Sequence, residues 1–315
     1  MRTAALFAGL FLGATSTIVS AELRTADCAR AAKYSESQRG ISILVMQNGR
    51  TVFERYANGG LPDGKWPIFS GTKSFWGIAA LCAVHDGLIK LDDHAADTIT
   101  EWKSDPRKSQ ITVRQLLNFT DGIDGAPHLH RASIRDRNAA AIRLSILAEP
   151  GTQFIYGPSH LQVFSELLRR KLQGRGTIAY LEKHVLNPLG LYHLEFKRDA
   201  RGNPLPASGF ELTAREWARL GELVLGHGSY HGRLIVPADL LKQAFTGSAV
   251  NPSYGLTFRW SDICICKTAP ADMIVSLGSA YQRLFIIPSV KLVIVRQGRE
   301  AKFSDAHFLR LVLGL

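Results

Sequence analysis

Hydrophobic and polar positions alternate in short runs near both ends of the chain and recur every three to four residues in its middle. Two β-rich runs, residues 41–47 and 50–56, flank Asn48-Gly49, a dipeptide typical of a tight hairpin turn. Similar short runs predict strands over residues 253–260, 274–277, 284–287 and 292–296. The pattern therefore predicts one antiparallel sheet built from the two ends of the chain.

Apolar residues at helical spacing predict helices over residues 72–86, 113–117, 139–147, 160–172, 213–225 and 306–313. Gly87 lies where the first of these should end, Thr213 and Glu216 match a capping box, and Ser304 or Asp305 can cap the last helix. We expect an α/β (α+β) fold. Its sheet lobe comprises residues 22–95 and 210–315, and residues 96–209 form an inserted helical lobe, so a cleft between the lobes is a natural place for a site.

The first 21 residues follow the order of a secretory signal. Arg2 precedes an apolar stretch that ends in Val19-Ser20-Ala21, small residues typical of a cleavage point. The alternative is an uncleaved membrane anchor, but Thr15, Ser16 and Thr17 interrupt the stretch, which barely reaches the roughly 20 residues that a span needs. We expect a secreted or periplasmic protein without stable membrane insertion after cleavage.

Composition excludes few function classes. The chain has 315 residues, 46% hydrophobic and 21% charged, which is typical of a globular protein. Its net charge of +11 invites comparison with nucleic-acid-binding proteins. The basic residues are scattered in short groups, such as Arg169-Arg170-Lys171, without an aromatic platform, so we interpret them as solvated surface and expect no nucleic-acid partner. The oligomeric state is left open.

The four cysteines, Cys28, Cys82, Cys264 and Cys266, give no clear metal or disulfide pattern. Cys264 and Cys266 are too close on one strand for a good disulfide, and Cys-x-Cys lacks the usual ligand spacing of a zinc site. His128 and His130 have no recognisable partner ligand. Cys82 falls in an apolar helix and is expected to be a buried small hydrophobe. We therefore expect neither a metal nor a cofactor.

Ser70 and Lys73 are the first candidate catalytic residues. Their spacing at a predicted helix start places a hydroxyl and an amine on one face, about one turn apart. Free N–H groups at a helix N-terminus stabilise negative charge on an oxygen, and a partly buried lysine loses its proton more easily. Ser-x-x-Lys occurs about once by chance in a chain of this length. The local pattern therefore leaves open a simple N-terminal turn with a solvated lysine.

Several segments in order resemble the serine β-lactamase and penicillin-binding-protein superfamily, in particular its class C branch, which includes 6-aminohexanoate-dimer hydrolases and family VIII esterases. The resemblance covers nearly all of the chain after the signal. Its segments are Ser70-Gly71-Thr72-Lys73, residues 87–93, residues 111–117 with Asp121-Gly122-Ile123, residues 149–156 ending in Tyr156, residues 212–221 and residues 282–288.

The resemblance implies a role for each matching position. Ser70 would be the acylated nucleophile, Lys73 its proton shuttle, and Tyr156 a general base for Ser70 and later an acid for the leaving group. The third family motif falls at Ser276-Leu277-Gly278, and the N–H groups of Ser70 and Ser279 would form the oxyanion hole. The alternative for Tyr156 is a structural aromatic residue at a helix start.

Two positions depart from the family pattern. The second motif reads Tyr156-Gly157-Pro158 where Tyr-x-Asn is usual, and Ser276 stands where the third motif has Lys or His. In penicillin-active relatives that cation binds the substrate carboxylate, so its loss disfavours β-lactams. Lys267-Thr268-Ala269 resembles the motif but is too far from Pro288, and we interpret it as a loop.

The resemblance thus implies a serine hydrolase that cleaves a small-molecule ester or amide through an acyl-serine intermediate. The alternatives are a β-lactamase or D,D-peptidase, which the two departures disfavour, and a non-catalytic binding protein of the same fold, which the retained Ser70, Lys73 and Tyr156 disfavour. The sequence does not decide whether His128, His130 or Trp66 lines the cleft.

Overall fold

The structure, a computed structural model, describes residues 22–260 and 269–315. The predicted signal segment, Cys264 and Cys266, and Lys267-Thr268 lie outside the described residues. The described strands are β1 Gly40–Gln47, β2 Arg50–Tyr56, β3 Trp66–Pro67, β4 Glu211–Leu212, β5 Ser229–Tyr230, β6 Arg233–Leu234, β7 Arg259–Trp260, β8 Ile274–Gly278, β9 Gln282–Ile287 and β10 Leu292–Gly298.

Six of the described strands form one antiparallel sheet in the order β2-β1-β10-β9-β8-β7. Its central pairing, β1 with β10, joins residues about 250 positions apart, since Leu44 lies opposite Val295. The predicted sheet from both chain ends is therefore confirmed. The strands β3 with β4 and β5 with β6 form two small antiparallel pairs.

Helices cover both faces of this sheet. The described α-helices are α1 Thr25–Ser37, α2 Thr72–His85, α3 Val113–Asn118, α4 Arg137–Ile142, α5 Ser159–Lys171, α6 Thr177–Leu181, α7 Ala214–Leu225, α8 Ala238–Gln243 and α9 Asp305–Leu313. None of them is both long and apolar enough to cross a bilayer. The lobe boundaries near residues 95 and 209 stay a prediction.

Alternation along the strands divides the core into two layers. On β10, Val293 and Val295 pack with α2 and α7, whereas Leu292 and Ile294 pack with α1 and α9 on the opposite face. Helix α1, which the sequence pattern did not predict, closes this second layer through Cys28, Ala31 and Ala32. Both faces of the central strands are thereby removed from water, the main source of stability in such a fold.

Most predicted helix boundaries agree with the structure, and their caps explain why. Thr213 and Glu216 form the predicted capping box of α7, and Ser304 accepts the His307 N–H at the start of α9. Gly87 follows the end of α2 with a φ of +71°, a value that favours glycine. Cys82 is buried, as expected, and both it and Cys28 are free thiols.

Two predicted elements are wrong. The strand predicted over residues 253–260 is reduced to β7, because residues 255–258 form a tight turn in which the Gly255 N–H donates to the Phe258 carbonyl and Thr257 has a φ of +68°. The helix predicted over residues 139–147 ends at Ile142, since Ile146 makes a β-bridge with Ile123 instead. Residues 254–258 are apolar because they are buried, whereas in the second segment Ile146 is buried and Leu147 is exposed.

Helix α2 packs very closely against the turn before β7. A Cβ atom on Gly77 would lie 2.1 Å from Thr257 Oγ1 and 2.7 Å from the Leu256 carbonyl oxygen. Atoms at these separations overlap, and backbone cannot rotate away as a flexible side chain can. Gly77 is therefore required for this contact, which joins α2 to the turn that leads into β7.

We expect Gly77→Ala to lower the free energy of unfolding by roughly 1–3 kcal/mol, the usual cost of overpacking. In an exposed helix, replacing glycine with alanine raises the free energy of unfolding, so the effect expected here has the opposite sign. Urea denaturation of the two proteins measures it. The double variant Gly77→Ala with Thr257→Ala should lose less than the single one, because it removes one of the two clashes. A more stable single variant would contradict the close packing.

Candidate active site

The Ser70 side chain stands on a short 3₁₀ turn, Phe69–Gly71, that leads directly into α2. Phe69 has a φ of +45°, an uncommon value for a residue with a side chain, and such strain is often found beside functional groups. The turn is fixed from three sides. Ile68 donates its N–H to the Phe210 carbonyl, Trp217 of α7 lies against Gly71, and the Ile68 carbonyl is in close contact with Gly278 of β8.

Lys73 lies in the first turn of α2 and is only 2% exposed. Its Nζ donates to Ser70 Oγ at 2.9 Å and to the Ala207 carbonyl oxygen at 2.8 Å. Burial lowers the pKa of this amine, and the charge of Arg259 adds to the effect, although Tyr156 opposes both. Lys73 therefore reaches its neutral, unprotonated form at a lower pH than a lysine on the surface does.

Tyr156 lies in the loop before α5, with its ring 4.9 Å from Lys73 Nζ and 45% of its surface exposed. Phe119, Phe154 and Tyr254 surround the ring with centroid separations of 5.5 to 6.3 Å. Behind Phe119, the imidazole of His160 stacks at 4.8 Å and contacts Asp121 at 2.6 Å, both fully buried. This aromatic cluster holds the phenol toward Lys73 and Ser70.

The electrostatic surroundings distinguish Tyr156 from its neighbour Tyr254. Burial alone would raise the pKa of Tyr156, but the charge of Lys73, hydrogen bonding with Ser70 and Lys73, and the charge of Arg259 outweigh it and lower the pKa. Tyr254 is 3% exposed, and burial raises its pKa well above the ordinary value. Of these two phenols, Tyr156 is thus the one that loses its proton at the lower pH.

The segment assigned to the third motif lies beside Ser70, but its first side chain, Ser276, does not line the pocket. Ser276 is 2% exposed and its Oγ accepts a hydrogen bond from Ser74 Oγ at 2.9 Å beneath α2. Residue 278 must be glycine, since a Cβ atom there would lie 2.1 Å from the Ile68 carbonyl oxygen. Leu277, Gly278 and the exposed Ser279 reach the same pocket as Ser70.

The candidate residues share a pocket of about 280 Å³. It is lined by Ser70, Lys73, Tyr156, Tyr254, Thr257, Arg259, Val275, Leu277, Gly278, Ser279 and Arg283. Trp66, His128 and His130 are not among these side chains. A larger pocket of about 840 Å³ lies elsewhere, and Arg170 in its lining pairs with Glu101 and Glu166.

Sequence reasoning missed Arg259, Tyr254 and the Ala207 carbonyl. Arg259 was included in a predicted strand, and a single arginine after the apolar run 254–258 was the only available signal. Its position in the pocket depends on the pairing of Arg259 with Val275 of β8, which no local pattern reveals. A backbone carbonyl such as Ala207 has no sequence signal at all.

Comparison with known proteins agrees with the architecture and the order of these segments. The sequence profile of the family described as Beta-lactamase matches residues 25–303. The chain belongs to the Beta-lactamase family. The sequence resemblance to this superfamily is therefore confirmed, although nothing in the comparison separates its class C branch from the others.

Two relatives of this Beta-lactamase family member share about a quarter of their residues with it. Protein flp of Staphylococcus aureus strain MW2 is 27% identical over 190 residues, which cover 55% of this chain and 38% of that protein. The chain thus spans less than half the length of this curated relative. An uncharacterized protein of Alkalihalophilus pseudofirmus, BpOF4_21049, is 25% identical over 82% of this chain and 83% of its own length.

Solved structures confirm the fold. A Bacillus anthracis protein assigned as a 6-aminohexanoate-dimer hydrolase superposes with a TM-score of 0.74 at 21% identity, covering 90% of this chain and 79% of its own. The hydrolase EstCE1, which has promiscuous acyltransferase activity, gives 0.74 at 17% identity, with 91% and 97% covered. Hydrolases are therefore among the structural neighbours of this chain.

We expect Lys73→Ala to raise the pKa of Tyr156, because the lysine charge is the main influence that stabilises the phenolate. Ultraviolet titration of tyrosinate, taken as the difference between each protein and its Tyr156→Phe counterpart, isolates this phenol from the other tyrosines. Lys65→Ala, which removes a half-exposed lysine paired with Glu216, is the matched control. An unchanged or lower pKa in Lys73→Ala would contradict the arrangement.

Proposed function

We propose that this protein is a secreted serine hydrolase that cleaves an ester or amide bond through an acyl-serine intermediate. The observation that carries the proposal is the 2.9 Å contact of Lys73 Nζ with Ser70 Oγ, with the Tyr156 ring 4.9 Å from the same amine. The hydrolases among the structural neighbours support it. Secretion rests on the signal-like pattern of residues 1–21.

In the proposed acylation, Ser70 Oγ attacks the carbonyl carbon and its proton passes to the Tyr156 phenolate, with Lys73 holding both oxygens in place. The N–H groups of Ser70 and Ser279 are proposed to stabilise the oxyanion. The bond to the leaving group then breaks, and Tyr156 gives its proton to the departing oxygen or nitrogen. Water attacks the acyl-serine by the reverse proton path, which releases the acid and restores Ser70.

The directions in which the pKa values of Tyr156 and Lys73 are shifted predict how kcat/KM changes with pH. A base must be deprotonated to act, so kcat/KM should rise as the pH passes through the pKa of Tyr156. Because that pKa lies below the ordinary value of about 10, the rise comes at a lower pH than an ordinary tyrosine would give. The lowered pKa of Lys73 acts in the same sense, since a neutral amine can also accept the proton.

Ser70→Ala should abolish turnover of p-nitrophenyl acetate and prevent covalent labelling by a fluorophosphonate, because it removes the hydroxyl that Lys73 contacts. Mass spectrometry of the labelled protein and a steady-state assay measure the two effects. Ser104→Ala, at an exposed serine outside this pocket, is the control and should keep both. Label on another residue in Ser70→Ala would place the nucleophile elsewhere.

We expect p-nitrophenyl acetate to be hydrolysed in preference to a chromogenic cephalosporin. The second-motif amide is absent at Pro158, and Ser276, which replaces the third-motif cation, is buried beneath α2. A cephalosporin therefore loses two of its usual contacts. Parallel values of kcat/KM for the two substrates test this, and a higher value for the cephalosporin would favour the β-lactamase alternative.

A further inference from the structure

A fully buried polar pair lies behind the aromatic cluster and takes no part in the proposed proton transfers. Asp121 follows α3, His160 lies in the first turn of α5, and the side chains of both are 0% exposed. His160 Nδ1 lies 2.6 Å from Asp121 Oδ2, and Asp121 Oδ1 accepts the Ile123 N–H at 2.7 Å. Both carboxylate oxygens are thus hydrogen-bonded, as burial requires.

Stability alone does not explain this pair. Removing two polar groups from water is costly, and apolar residues of similar volume in their place are often equally or more stabilising. A hydrogen bond supplies what apolar packing lacks, because it fixes the direction in which a side chain points. The bond between Asp121 and His160 therefore sets the plane of the imidazole ring.

The second ring nitrogen of His160 argues against a proton relay. A carboxylate accepts hydrogen bonds, so Nδ1 carries the hydrogen that faces Asp121. Nε2 is buried and has no hydrogen-bond partner among residues 22–260 and 269–315. Within that part of the chain, no hydrogen-bonded path leads from Nε2 to the pocket. The imidazole therefore acts on the site through its ring face.

Phe119 lies between this imidazole and Tyr156. Its ring stacks on His160 with a centroid separation of 4.8 Å and an interplanar angle of 26°, and it meets the Tyr156 ring edge-to-face at 5.5 Å and 61°. Aromatic pairs favour both geometries. The Phe119 carbonyl also accepts the N–H of Ile155, the residue before Tyr156, at 2.9 Å. A change in the plane of the Phe119 ring would therefore move the phenol.

The backbone of Phe119 is in an uncommon conformation. Its φ of +63° and ψ of +37° are left-handed, at the residue that ends α3. A residue with a side chain keeps such a conformation only where the surrounding contacts hold it. The rings of His160 and Tyr156, on either side of Phe119, provide such contacts.

We propose that Asp121 and His160 form a positioning pair that, through the face of Phe119, holds the Tyr156 phenol beside the Lys73 amine. The proposal rests on the proposed hydrolase function for the role of Tyr156 as a base. Neither member of the pair lines the pocket, so neither is a catalytic residue. Without the imidazole, Phe119 and Tyr156 should turn away from Lys73, whose charge keeps the pKa of Tyr156 low.

The test compares Asp121→Asn with the double variant Asp121→Asn/His160→Leu. In the single variant the new amide can still hold the imidazole, with the ring hydrogen on Nε2, and its oxygen can still accept the Ile123 N–H. The double variant lacks the imidazole but leaves no unpaired buried carboxylate, which would be strongly destabilising. The two proteins therefore differ only in the side chain that faces Phe119.

Three measurements report on Tyr156. Ultraviolet titration, taken as the difference from the Tyr156→Phe counterpart, should give a higher pKa in the double variant than in Asp121→Asn. The rise of kcat/KM for p-nitrophenyl acetate should move to higher pH, and kcat/KM at neutral pH should fall about tenfold or more, as misplacement of a reacting group predicts. Asp121→Asn should stay close to wild type in all three.

A second cluster of the same chemistry provides the matched control. Asp86 contacts His184 at 3.3 Å, and that imidazole stacks on Tyr180 at 4.2 Å, outside the pocket around Ser70. Asp86→Asn/His184→Leu removes the same groups at this second place. It should change neither the pKa of Tyr156 nor the pH dependence of kcat/KM.

Phe119→Leu serves as the second variant, should the double variant not fold. It keeps the bond between Asp121 and His160 but removes the ring that contacts Tyr156, so the pKa of Tyr156 should again rise. An unchanged pKa in the folded double variant, or in Phe119→Leu where the former does not fold, would make the pair merely structural and overturn the proposal. An equal rise in Asp121→Asn would assign the effect to the carboxylate charge and overturn it as well.

The titration does not depend on turnover, which separates this proposal from the hydrolase function. If wild type does not hydrolyse p-nitrophenyl acetate but the pKa of Tyr156 rises in the double variant and not in Asp121→Asn, the hydrolase proposal fails and the positioning pair stands. If the ester is hydrolysed and neither the pKa nor the pH dependence differs between the two variants, the positioning pair fails alone.

Discussion

A lysine amine that is buried without a carboxylate partner among the described residues imposes the main constraint on this molecule. Removing an ammonium group from water is costly unless other groups stabilise it. In the part of the chain that the structure describes, the close partners of Lys73 are Ser70 Oγ, the Ala207 carbonyl and the Tyr156 ring. A carboxylate would hold the proton on the amine. Its absence from this set favours the neutral form, and the neutral form or the coupled phenolate is what can accept a proton from serine.

Four separate chain segments must meet for this arrangement to exist. The turn before α2 supplies Ser70, the loop before α5 supplies Tyr156, residue 207 supplies the carbonyl, and the end of β8 closes the pocket. Backbone contacts fix their separations, as at Gly157, where a Cβ atom would lie 2.0 Å from the Gly125 carbonyl oxygen. Such contacts cannot relax by rotating a side chain, so small backbone shifts would separate the reacting groups.

The sequence predicted what local chemistry determines. The Asn48-Gly49 hairpin and the Thr213 capping box have a short-range cause and appear where expected. Residues 254–258 were misread because a buried turn and a buried strand are equally apolar. The resemblance brought Ser70, Lys73 and Tyr156 together, yet it could not show that Ser276 points beneath α2 or that Arg259 enters the pocket. Both facts depend on strand register and on which face each residue occupies.

The pocket has a cation on β7, at Arg259, while residue 276 of β8 is a buried serine. The turn that bears Ser70 is fixed against β8 by the close contact of Gly278 with the Ile68 carbonyl oxygen. A charge that enters from β7 instead of residue 276 changes where an anionic group can lie relative to Ser70. Selectivity between substrates depends on such differences in binding during the transition state. Under the proposed function, a charge on β7 would therefore alter the choice of substrate without moving Ser70.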